Sequence, residues 1–404
     1  MELNEQQREA KNLILAKDVN VFVSGFAGTG KTVLLNDVVE TLRGKGREVR
    51  VTAFTGLAAQ HLNGTTISKL LGLGLSTTIN GWQDVYLETA QKNLKGVTDI
   101  VIDEISMVSG DFLELIDQVL RHCSGRDTAF GGYRIIFGGD FMQLPPIRAK
   151  EQGYCWPWAF EYPEFTKSMA IFLTQSMRQS SSTEVDLLNE YRQGILSADG
   201  KSFLNSLVGR QLENPVDLHP RRKTVHYINS SRLKRHNGEA HTYTTTFSST
   251  MHKERLLKGL PIGESVVLKE GVPVIILVND PADRYVNGSQ GIVTRLGKEE
   301  VRIQLHNGNE VNIGQKRWKV AGADGSTVGE AWGLPVQLGW AATIHRAQGM
   351  TLDAVSTDIS RCWEPGQAYV ALSRTRSLEN LSLKSPVQHI KADPVALSYV
   401  NSLF

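Results

Sequence analysis

A glycine-rich loop between an apolar run and an amphipathic run constrains the fold of this chain most. The loop, Gly25 to Thr32, reads GFAGTGKT and fits G-x-x-x-x-G-K-[ST] at every fixed position. The run 19–23 before it is typical of a buried strand, and the run 33–39 after it is typical of a helix with one apolar side. In that context the backbone N–H groups converge on a phosphate at the helix N-terminus. The sequence therefore predicts a nucleotide site, with Lys31 reaching the β- and γ-phosphates and the Thr32 hydroxyl holding Mg²⁺.

Strand-like and helix-like runs alternate along most of the chain. Around the loop, further apolar runs at 48–53, 99–102 and 133–137 favour a parallel sheet covered on both faces. The alternation starts again near residue 171, whereas the stretch 241–330 has short β-rich runs separated by turn signals such as Asn307-Gly308. We therefore predict an α/β protein with a first α/β domain over 1–63 and 96–170, an insertion over 64–95, a second α/β domain over 171–240 and 331–404, and a small β-barrel inserted over 241–330.

Composition limits the class of protein. The 404 residues include 41% hydrophobic and 21% charged residues, as in soluble globular proteins. No run approaches the roughly 18 apolar residues that a membrane span needs, and the acidic, polar N-terminus shows no secretory signal. Cys123, Cys155 and Cys362 are widely spaced, which favours a reducing cytoplasm. Because the formal net charge is only +2, any track for nucleic acid must be local.

An acidic pair and a glutamine follow successive strand-like runs. Asp103 and Glu104 end one run, where Asp103 can hold Mg²⁺ and Glu104 can activate the attacking water. Gln143, in the loop 139–146 after the next run, can contact the γ-phosphate. Alone, such a pair is more often a solvated strand end, and such a glutamine an ordinary loop residue. Together with the glycine loop, the catalytic interpretation of the acidic pair is favoured.

Two arginines are candidates for neutralising charge on a transferred phosphate. Arg178 follows the first strand-like run of the second domain, and Arg374 ends the segment 366–374. Most arginines are solvated surface residues, so neither position is specific by itself. A nucleotide site between two domains nevertheless needs cations on its far side in the transition state, and both arginines are therefore retained as candidates.

The order of these segments matches the motifs of superfamily-one helicases: 25–32, 103–104, 139–146, 178–179, 343–349 and 366–374. Over nearly its full length the chain resembles the Pif-one family of DNA helicases, close to the RecD- and Dda-like branch and of bacterial or phage type. The block 103–108 and the apolar helix after it resemble that family's own signature. The resemblance implies two RecA-like domains with ATP between them, a small wedge insertion in the first and a Src-homology-type β-barrel in the second.

The resemblance also implies roles at the nucleotide site. Gln7 would read the adenine, Gln143 would couple the γ-phosphate to domain closure, and both arginines would be arginine fingers. ATP and Mg²⁺ are the expected cofactors. The expected catalytic residues are Lys31, Glu104, Gln143, Arg178 and Arg374. The expected nucleotide contacts are Gln7, Gly28, Thr29, Gly30, Lys31, Thr32, Arg178 and Arg374, and the expected Mg²⁺ ligands are Thr32 and Asp103.

For DNA, the resemblance implies contacts along a single strand. His61 is added by position, because it falls in a loop at the carboxyl end of a predicted strand, the edge where α/β sheets bind ligands. The expected DNA contacts are Phe54, Thr55, His61, Asn287, Gly288, Thr343 and His345. Phe54 as a core residue and His345 as a helix cap remain open alternatives. After 64–67 the family usually has histidine and this chain has Ser68, which weakens a DNA contact there.

The resemblance implies an ATP-dependent 5′-to-3′ DNA helicase. It would translocate on single-stranded DNA as a monomer in solution and unwind tailed or forked duplexes, with G-quadruplexes as further substrates. One alternative is a translocase that displaces proteins with little unwinding, because the insertion 64–95 is short and lacks an apolar tip. Another is a nucleotide-switched P-loop module that binds DNA or a protein, although two arginines in the same chain argue against slow hydrolysis. Trp82 and Tyr86 would either split the duplex or anchor the insertion, and anchoring is favoured.

Overall fold

The fold was analysed in a computed structural model. It describes residues 3–55, 58–59, 62, 64–73, 82, 85–146, 155–177, 182–248, 257, 260, 262–280, 282, 284–285, 287–321 and 327–403. The chain forms two compact units: unit 1 is Met1–Ser180, Ala321–Ser326 and Ala392–Phe404, and unit 2 is Ser181–Val320 and Thr327–Lys391. The sequence pattern assigns 171–180 and 392–404 to the second domain, whereas the structure groups both segments with unit 1. The strand Met169–Leu173, expected to begin the second domain, pairs with Val21–Gly25 and is therefore the last strand of the unit 1 sheet. The other predicted domain boundaries stay a prediction.

Unit 1 is built on a six-stranded sheet with the order β3-β2-β4-β5-β1-β6. Its strands are β1 (Val21–Gly25), β2 (Val49–Ala53), β3 (Thr65–Thr66), β4 (Asp99–Asp103), β5 (Arg134–Gly138) and β6 (Met169–Leu173). All neighbouring pairs are parallel, and Val21 lies opposite Ile136 on one side and Met169 on the other. The predicted α/β class with a parallel sheet is thereby confirmed.

Helices and apolar side chains cover both faces of this sheet. The helices of unit 1 are Glu5–Ala16, Lys31–Gly44, Ile67–Leu70, Leu87–Leu94, Gly110–Ser124, Pro163–Thr166 and Pro394–Asn401. Because side chains alternate along a strand, Val21 and Val23 join the cluster that contains Leu34 and Leu35, whereas Phe22 joins an aromatic-rich cluster on the other face. The strands are therefore buried on both sides, as their apolar runs predict.

The predicted insertion over 64–95 is attached firmly to unit 1. Its first residues form strand β3, which pairs with β2 as an edge strand of the parallel sheet. The Trp82 ring packs edge to face against His122, with ring centroids 5.8 Å apart, and joins the aromatic-rich core. This contact supports the anchoring interpretation of Trp82, whereas Tyr86 is exposed just before the helix Leu87–Leu94. The wedge architecture itself stays a prediction.

The helix Pro394–Asn401 completes the aromatic core of unit 1. Asp393 caps it, with the carboxylate accepting from the Val395 and Ala396 amides at 3.0 Å. The Tyr399 ring stacks on Phe160 at 4.2 Å between centroids and 3° between planes, and it contacts Phe141 edge to face. Part of the first core is thus built from residues that follow unit 2 in the sequence.

Unit 2 contains a second parallel sheet, with the order β18-β7-β19-β20. Its strands are β7 (Val216–His219), β18 (Ala341–Thr343), β19 (Val355–Thr357) and β20 (Leu381–Leu383). Its helices are Ser182–Arg192, Ala198–Ser206, Arg222–Arg235, Ile344–Ala347 and Gln367–Leu372. The parallel pairing agrees with the second α/β stretch predicted from sequence. None of the described helices combines the length and apolar character that a bilayer crossing requires.

The β-rich stretch of unit 2 forms antiparallel sheets. One has five strands in the order β14-β13-β12-β11-β17, one has three in the order β15-β16-β9, and β10 pairs with β8. The strands are β8 (His241–Thr244), β9 (Thr246–Phe247), β10 (Ser265–Leu268), β11 (Pro273–Ile276), β12 (Gln290–Leu296), β13 (Glu300–Leu305), β14 (Glu310–Gly314), β15 (Lys316–Ala321), β16 (Thr327–Gly333) and β17 (Val336–Leu338). Val274, Val293 and Ile303 contribute to its own apolar core. Closure into a barrel stays a prediction.

Candidate functional site

The glycine loop lies between β1 and the helix Lys31–Gly44, as its sequence predicts. Gly30 caps that helix with φ +73°, a left-handed conformation that favours glycine, and a Cβ there would lie 2.5 Å from Gln7 Nε2. Lys31 Nζ donates to the carbonyl oxygens of Gly25 and Phe26 at 2.8 and 2.9 Å. The ammonium group is therefore held against the loop backbone, where a phosphate bound at the helix N-terminus would meet it.

Gln7 connects the first helix to the loop. Its amide nitrogen donates to the carbonyl oxygens of Thr29 and Gly30 at 3.0 and 3.4 Å, and the residue is buried. The Gln7 side-chain oxygen accepts from the backbone N–H of Asn4, and the Asn4 side-chain oxygen accepts from the backbone N–H of Gln7. This reciprocal capping fixes the start of the helix Glu5–Ala16 and with it the position of Gln7. The structure thus places Gln7 beside the loop, and its contact with adenine stays a prediction.

The acidic pair lies at the end of β4. Asp103 is buried, and its carboxylate accepts from the Glu104 amide at 2.8 Å. Burial raises the pKa of Asp103, opposed by this hydrogen bond and by the charge of Lys31. Gly138, on neighbouring β5, leaves room for the carboxylate, because a Cβ there would lie 2.7 Å from it. A buried carboxylate beside Lys31 is suited to a divalent cation, which favours its charged form.

Glu104 has an unusual backbone conformation. Its φ of 56° and ψ of 43° lie in the left-handed region, which costs a non-glycine residue about 1–2 kcal/mol. Strain of this kind is concentrated at functional sites. It points the side chain in a direction that a regular strand conformation would not allow. No sequence pattern announces this conformation.

Gln143 lies in the loop that follows β5. Its amide donates to the Asp140 carbonyl oxygen at 2.9 Å, and the residue is buried. β5 lies between β4 and β1 in the parallel sheet, so the loops after all three strands leave the same edge. The structure therefore brings Gln143, the acidic pair and the glycine loop to one edge of unit 1.

A backbone contact at this edge has no signal in the sequence. The Met177 amide donates to the Gly28 carbonyl oxygen at 2.7 Å, and the Phe26 amide donates to the Leu173 carbonyl oxygen at 3.2 Å. The segment after β6 therefore lies directly against the glycine loop. Main-chain groups are the same in every residue, so residue types could not predict these bonds. The predicted finger Arg178 is the residue after Met177 and lies outside the described residues.

Arg374 belongs to unit 2 and is only 2% exposed. Its guanidinium donates to the Val370 carbonyl oxygen at 2.7 Å, to the Ser373 hydroxyl at 2.7 Å and to the Ala347 carbonyl oxygen at 3.4 Å. In this conformation the side chain braces the end of the helix Gln367–Leu372. Its role as an arginine finger stays a prediction, and it requires the guanidinium to exchange these partners for a phosphate.

Some of the predicted DNA contacts of unit 1 make packing contacts or hydrogen bonds within the protein. Phe54 is half-buried and packs edge to face on Phe112 at 5.9 Å, in agreement with the alternative that it is a core residue. The Thr55 hydroxyl accepts from the Ala58 amide at 3.2 Å. Ser68 is half-buried in the helix Ile67–Leu70. His61 lies outside the described residues. A DNA role for Phe54 and Thr55 stays a prediction.

In unit 2, Thr343 and His345 lie at the carboxyl end of β18. The Thr343 hydroxyl accepts from the Arg346 amide at 3.3 Å and caps the helix Ile344–Ala347, so Thr343 rather than His345 is the cap. His345 Nε2 lies 3.5 Å from a carboxylate oxygen of Glu364. His345 is half-buried, whereas Thr343 is buried.

Asn287 and Gly288 are packed inward. Asn287 is 3% exposed, and its side-chain Nδ2 and Oδ1 atoms have no hydrogen-bond partner in the part of the chain that the structure describes. Gly288 has φ +96°, and a Cβ there would lie 3.2 Å from the Met350 side chain. The expectation of a DNA-facing loop therefore does not match the burial of Asn287, because contact with DNA would require this turn to open. Their DNA role stays a prediction.

Comparisons with known proteins agree with these motifs. The family model of PIF1-like helicases matches residues 2–202. The ATP-dependent DNA helicase Pif1 of Bdellovibrio bacteriovorus is 34% identical over 394 residues, which cover 95% of this chain and 88% of that protein. The ATP-dependent DNA helicase PIF1 of Xenopus laevis is 32% identical over 417 residues. These cover 99% of this chain but only 64% of the Xenopus protein.

The fold is similar to solved structures of Pif1 from a Bacteroides species. The complex of that protein with ADP-AlF4 has a TM-score of 0.85 at 28% identity, and the alignment covers 100% of this chain and 97% of the Bacteroides chain. Its complex with single-stranded DNA has a TM-score of 0.75 at 29% identity with the same coverage.

Among the described residues of this chain, no group of three or more His, Cys, Asp or Glu side chains could hold a metal ion.

Proposed function

The chain belongs to the PIF1-like helicase family, and on that basis we propose that it is an ATP-dependent DNA helicase. It moves 5′-to-3′ along single-stranded DNA, acts as a monomer in solution, and unwinds tailed or forked duplexes. The observation that supports this most directly is at one edge of unit 1. There Lys31, the acidic pair and Gln143 follow the ends of three strands of the same parallel sheet. Phosphoryl transfer from a nucleotide needs these groups: a cationic cradle, a metal-binding carboxylate and a base for water.

Each residue at this edge has a defined task in hydrolysis. Lys31 and the loop amides bind and orient the β- and γ-phosphates. The Thr32 hydroxyl and the Asp103 carboxylate are the hard oxygen ligands that Mg²⁺ prefers, and the ion would neutralise phosphate charge. Glu104 positions the attacking water and accepts its proton. Gln143 contacts the γ-phosphate and responds to its loss.

DNA binding should depend mainly on the phosphate backbone. The Bacteroides Pif1 structure with single-stranded DNA supports this ligand for the present chain. With a formal net charge of +2, binding relies on local cations rather than on the whole surface. Affinity should therefore fall steeply with salt and vary little with base sequence.

Glu104→Gln should retain ATP binding and lose hydrolysis. Glutamine keeps the size of the side chain but cannot accept the proton of the attacking water, and a general base contributes about 10²–10⁴-fold to the rate. Equilibrium binding of ATP and single-turnover hydrolysis should be measured on the same preparation. Glu40→Gln, an exposed glutamate on the helix after the loop, is the matched control and should hydrolyse normally. Normal hydrolysis in Glu104→Gln would show that another group activates the water.

The function is tested by ATP turnover titrated with single-stranded DNA, together with unwinding of duplexes tailed at the 5′ or the 3′ end. Strong stimulation and opening of only the 5′-tailed duplex are expected. Stimulation without opening would instead indicate a translocase that displaces proteins. A rate that does not respond to single-stranded DNA would contradict the proposal and leave a nucleotide-switched module.

A further inference from the structure

Trp363 differs from the other tryptophans of the chain in the exposure of its side chain. All seven tryptophans of the chain lie in described residues, and only this one has an exposed ring, with 47% of its surface accessible. It lies between β19 and the helix Gln367–Leu372. Single exposed apolar residues are common, so exposure alone assigns no role. The surroundings of the ring are what distinguish this tryptophan.

Arg221 packs on the Trp363 ring. Its guanidinium carbon lies 5.2 Å from the ring centroid, within the range of a cation–π contact. Arg221 follows β7 and Trp363 follows β19, and these strands are parallel neighbours in the sheet of unit 2. Both residues therefore leave the sheet at its carboxyl edge, where α/β folds bind ligands. The guanidinium covers part of the indole, and 47% of the residue remains accessible to a second planar group.

The charges around the ring suit an anion. Arg221, Arg222 and Lys223 are consecutive exposed cations at the start of the helix Arg222–Arg235. On the other side, Glu364 follows Trp363 and pairs with His345, one of the predicted DNA contacts. The ring thus lies beside the exposed cation Arg221, and the residue that follows it contacts a histidine expected to bind DNA. A ligand that offers planar bases and phosphates together matches this surface.

We propose that Trp363, supported by Arg221, is a stacking platform for one base of single-stranded DNA at the carboxyl edge of the parallel sheet of unit 2. The base stacks on the exposed indole surface while Arg222 and Lys223 contact the adjacent phosphates. This inference rests on the proposed function, since it names a contact for the same DNA ligand. The platform adds affinity that does not depend on base identity, because every base has a stacking face.

The test compares Trp363→Ala and Trp363→Phe in binding a fluorescent oligothymidine and the same strand with abasic sites. Trp363→Ala should weaken binding of the oligothymidine by about 5- to 100-fold, the range for loss of one base–aromatic stack. Trp363→Phe keeps a ring and should stay within about threefold of wild type. On the abasic strand all three proteins should bind alike. Binding of oligothymidine should also quench tryptophan fluorescence in wild type and much less in Trp363→Phe.

Trp332→Ala provides a matched control. Its ring also lies under a guanidinium, with the carbon of Arg317 5.6 Å from the centroid, but it is on β16 of the antiparallel part. Its affinity for oligothymidine should equal that of wild type. Because the Trp363 ring is exposed, Trp363→Ala should also unfold near the wild-type temperature and keep its ATP turnover without DNA.

Four results would overturn the platform. Wild-type affinity of Trp363→Ala for oligothymidine would remove it while leaving the helicase proposal intact. An equal loss on the abasic strand would show that the ring positions the backbone rather than a base. A raised KM for ATP with unchanged DNA affinity would assign the ring to the nucleotide instead. If wild type binds no single-stranded DNA, the proposed function is wrong and the platform falls with it.

Discussion

Lys31→Ala should reduce ATP turnover by at least about 10²–10³-fold, the cost of removing one preorganised charge from a phosphate in the transition state. In the structure the Lys31 ammonium group donates to the Gly25 and Phe26 carbonyl oxygens at 2.8 and 2.9 Å, on the loop that is predicted to bind the phosphates. The charge therefore needs little reorganisation when a nucleotide binds, which is the condition for a large electrostatic contribution. Steady-state hydrolysis at saturating single-stranded DNA measures the effect.

The fold should tolerate this substitution. The two carbonyl oxygens lose a charged donor, which costs about 1–2 kcal/mol of unfolding free energy because the site is only partly buried. Lys45→Ala, at an exposed lysine that caps the end of the same helix, is the control and should change neither turnover nor stability measurably. Turnover near the wild-type rate in a folded Lys31→Ala protein would rule out the nucleotide-site assignment.

Tyr399→Ala should lower the unfolding free energy of unit 1 by about 2–3 kcal/mol, somewhat less than a fully buried aromatic because part of the ring is accessible. The substitution removes the stack on Phe160 at 4.2 Å and the edge contact with Phe141, and it opens the aromatic core. For a unit of roughly 200 residues, this loss should lower the midpoint temperature of unfolding by roughly 5–10 °C. Calorimetry measures the shift in the intact chain.

Hydrogen exchange can assign the loss to one unit. Amides of β5, which lies in the sheet of unit 1, should exchange faster in Tyr399→Ala, whereas amides of β7 in unit 2 should keep their protection. Tyr399→Phe retains both ring contacts and serves as the control, with stability within about 1 kcal/mol of wild type. Equal protection of β5 in all three proteins would show that the helix Pro394–Asn401 does not stabilise the sheet.

The position of the candidate nucleotide-site residues at one sheet edge was largely predictable, because their sequence patterns are local. The loop from Gly25 to Thr32 carries its glycines, Lys31 and Thr32 within eight consecutive residues, and Asp103 and Glu104 directly follow an apolar run. Each pattern can therefore be recognised without knowledge of the tertiary structure. The parallel sheet was predictable for a similar reason, since strands buried on both faces contain consecutive apolar residues, as in Val21–Val23 and Ile100–Ile102.

Features that depend on distant partners were not predictable. Arg374 and Asn287 are polar residues that propensity places at the surface, but packing within unit 2 buries both. The bond from the Met177 amide to Gly28 involves only main-chain atoms, which carry no residue type. Trp363 gave no signal because its neighbour Arg221 comes from a different strand end. These positions are set by which strands become neighbours, a property that local patterns do not contain.

The return of the chain to unit 1 has a consequence for how the protein is made. Ribosomes deliver the residues of unit 1 up to 180 first, then the whole of unit 2, and only afterwards Tyr399. At about 5–20 residues per second, the ribosome needs on the order of 10–50 s after Phe141 and Phe160 to add the tyrosine that packs on them. During that interval the nascent chain exposes an aromatic surface that the finished protein hides. Unit 1 can therefore reach its final packing only after synthesis has passed through unit 2, so it matures last although it begins first.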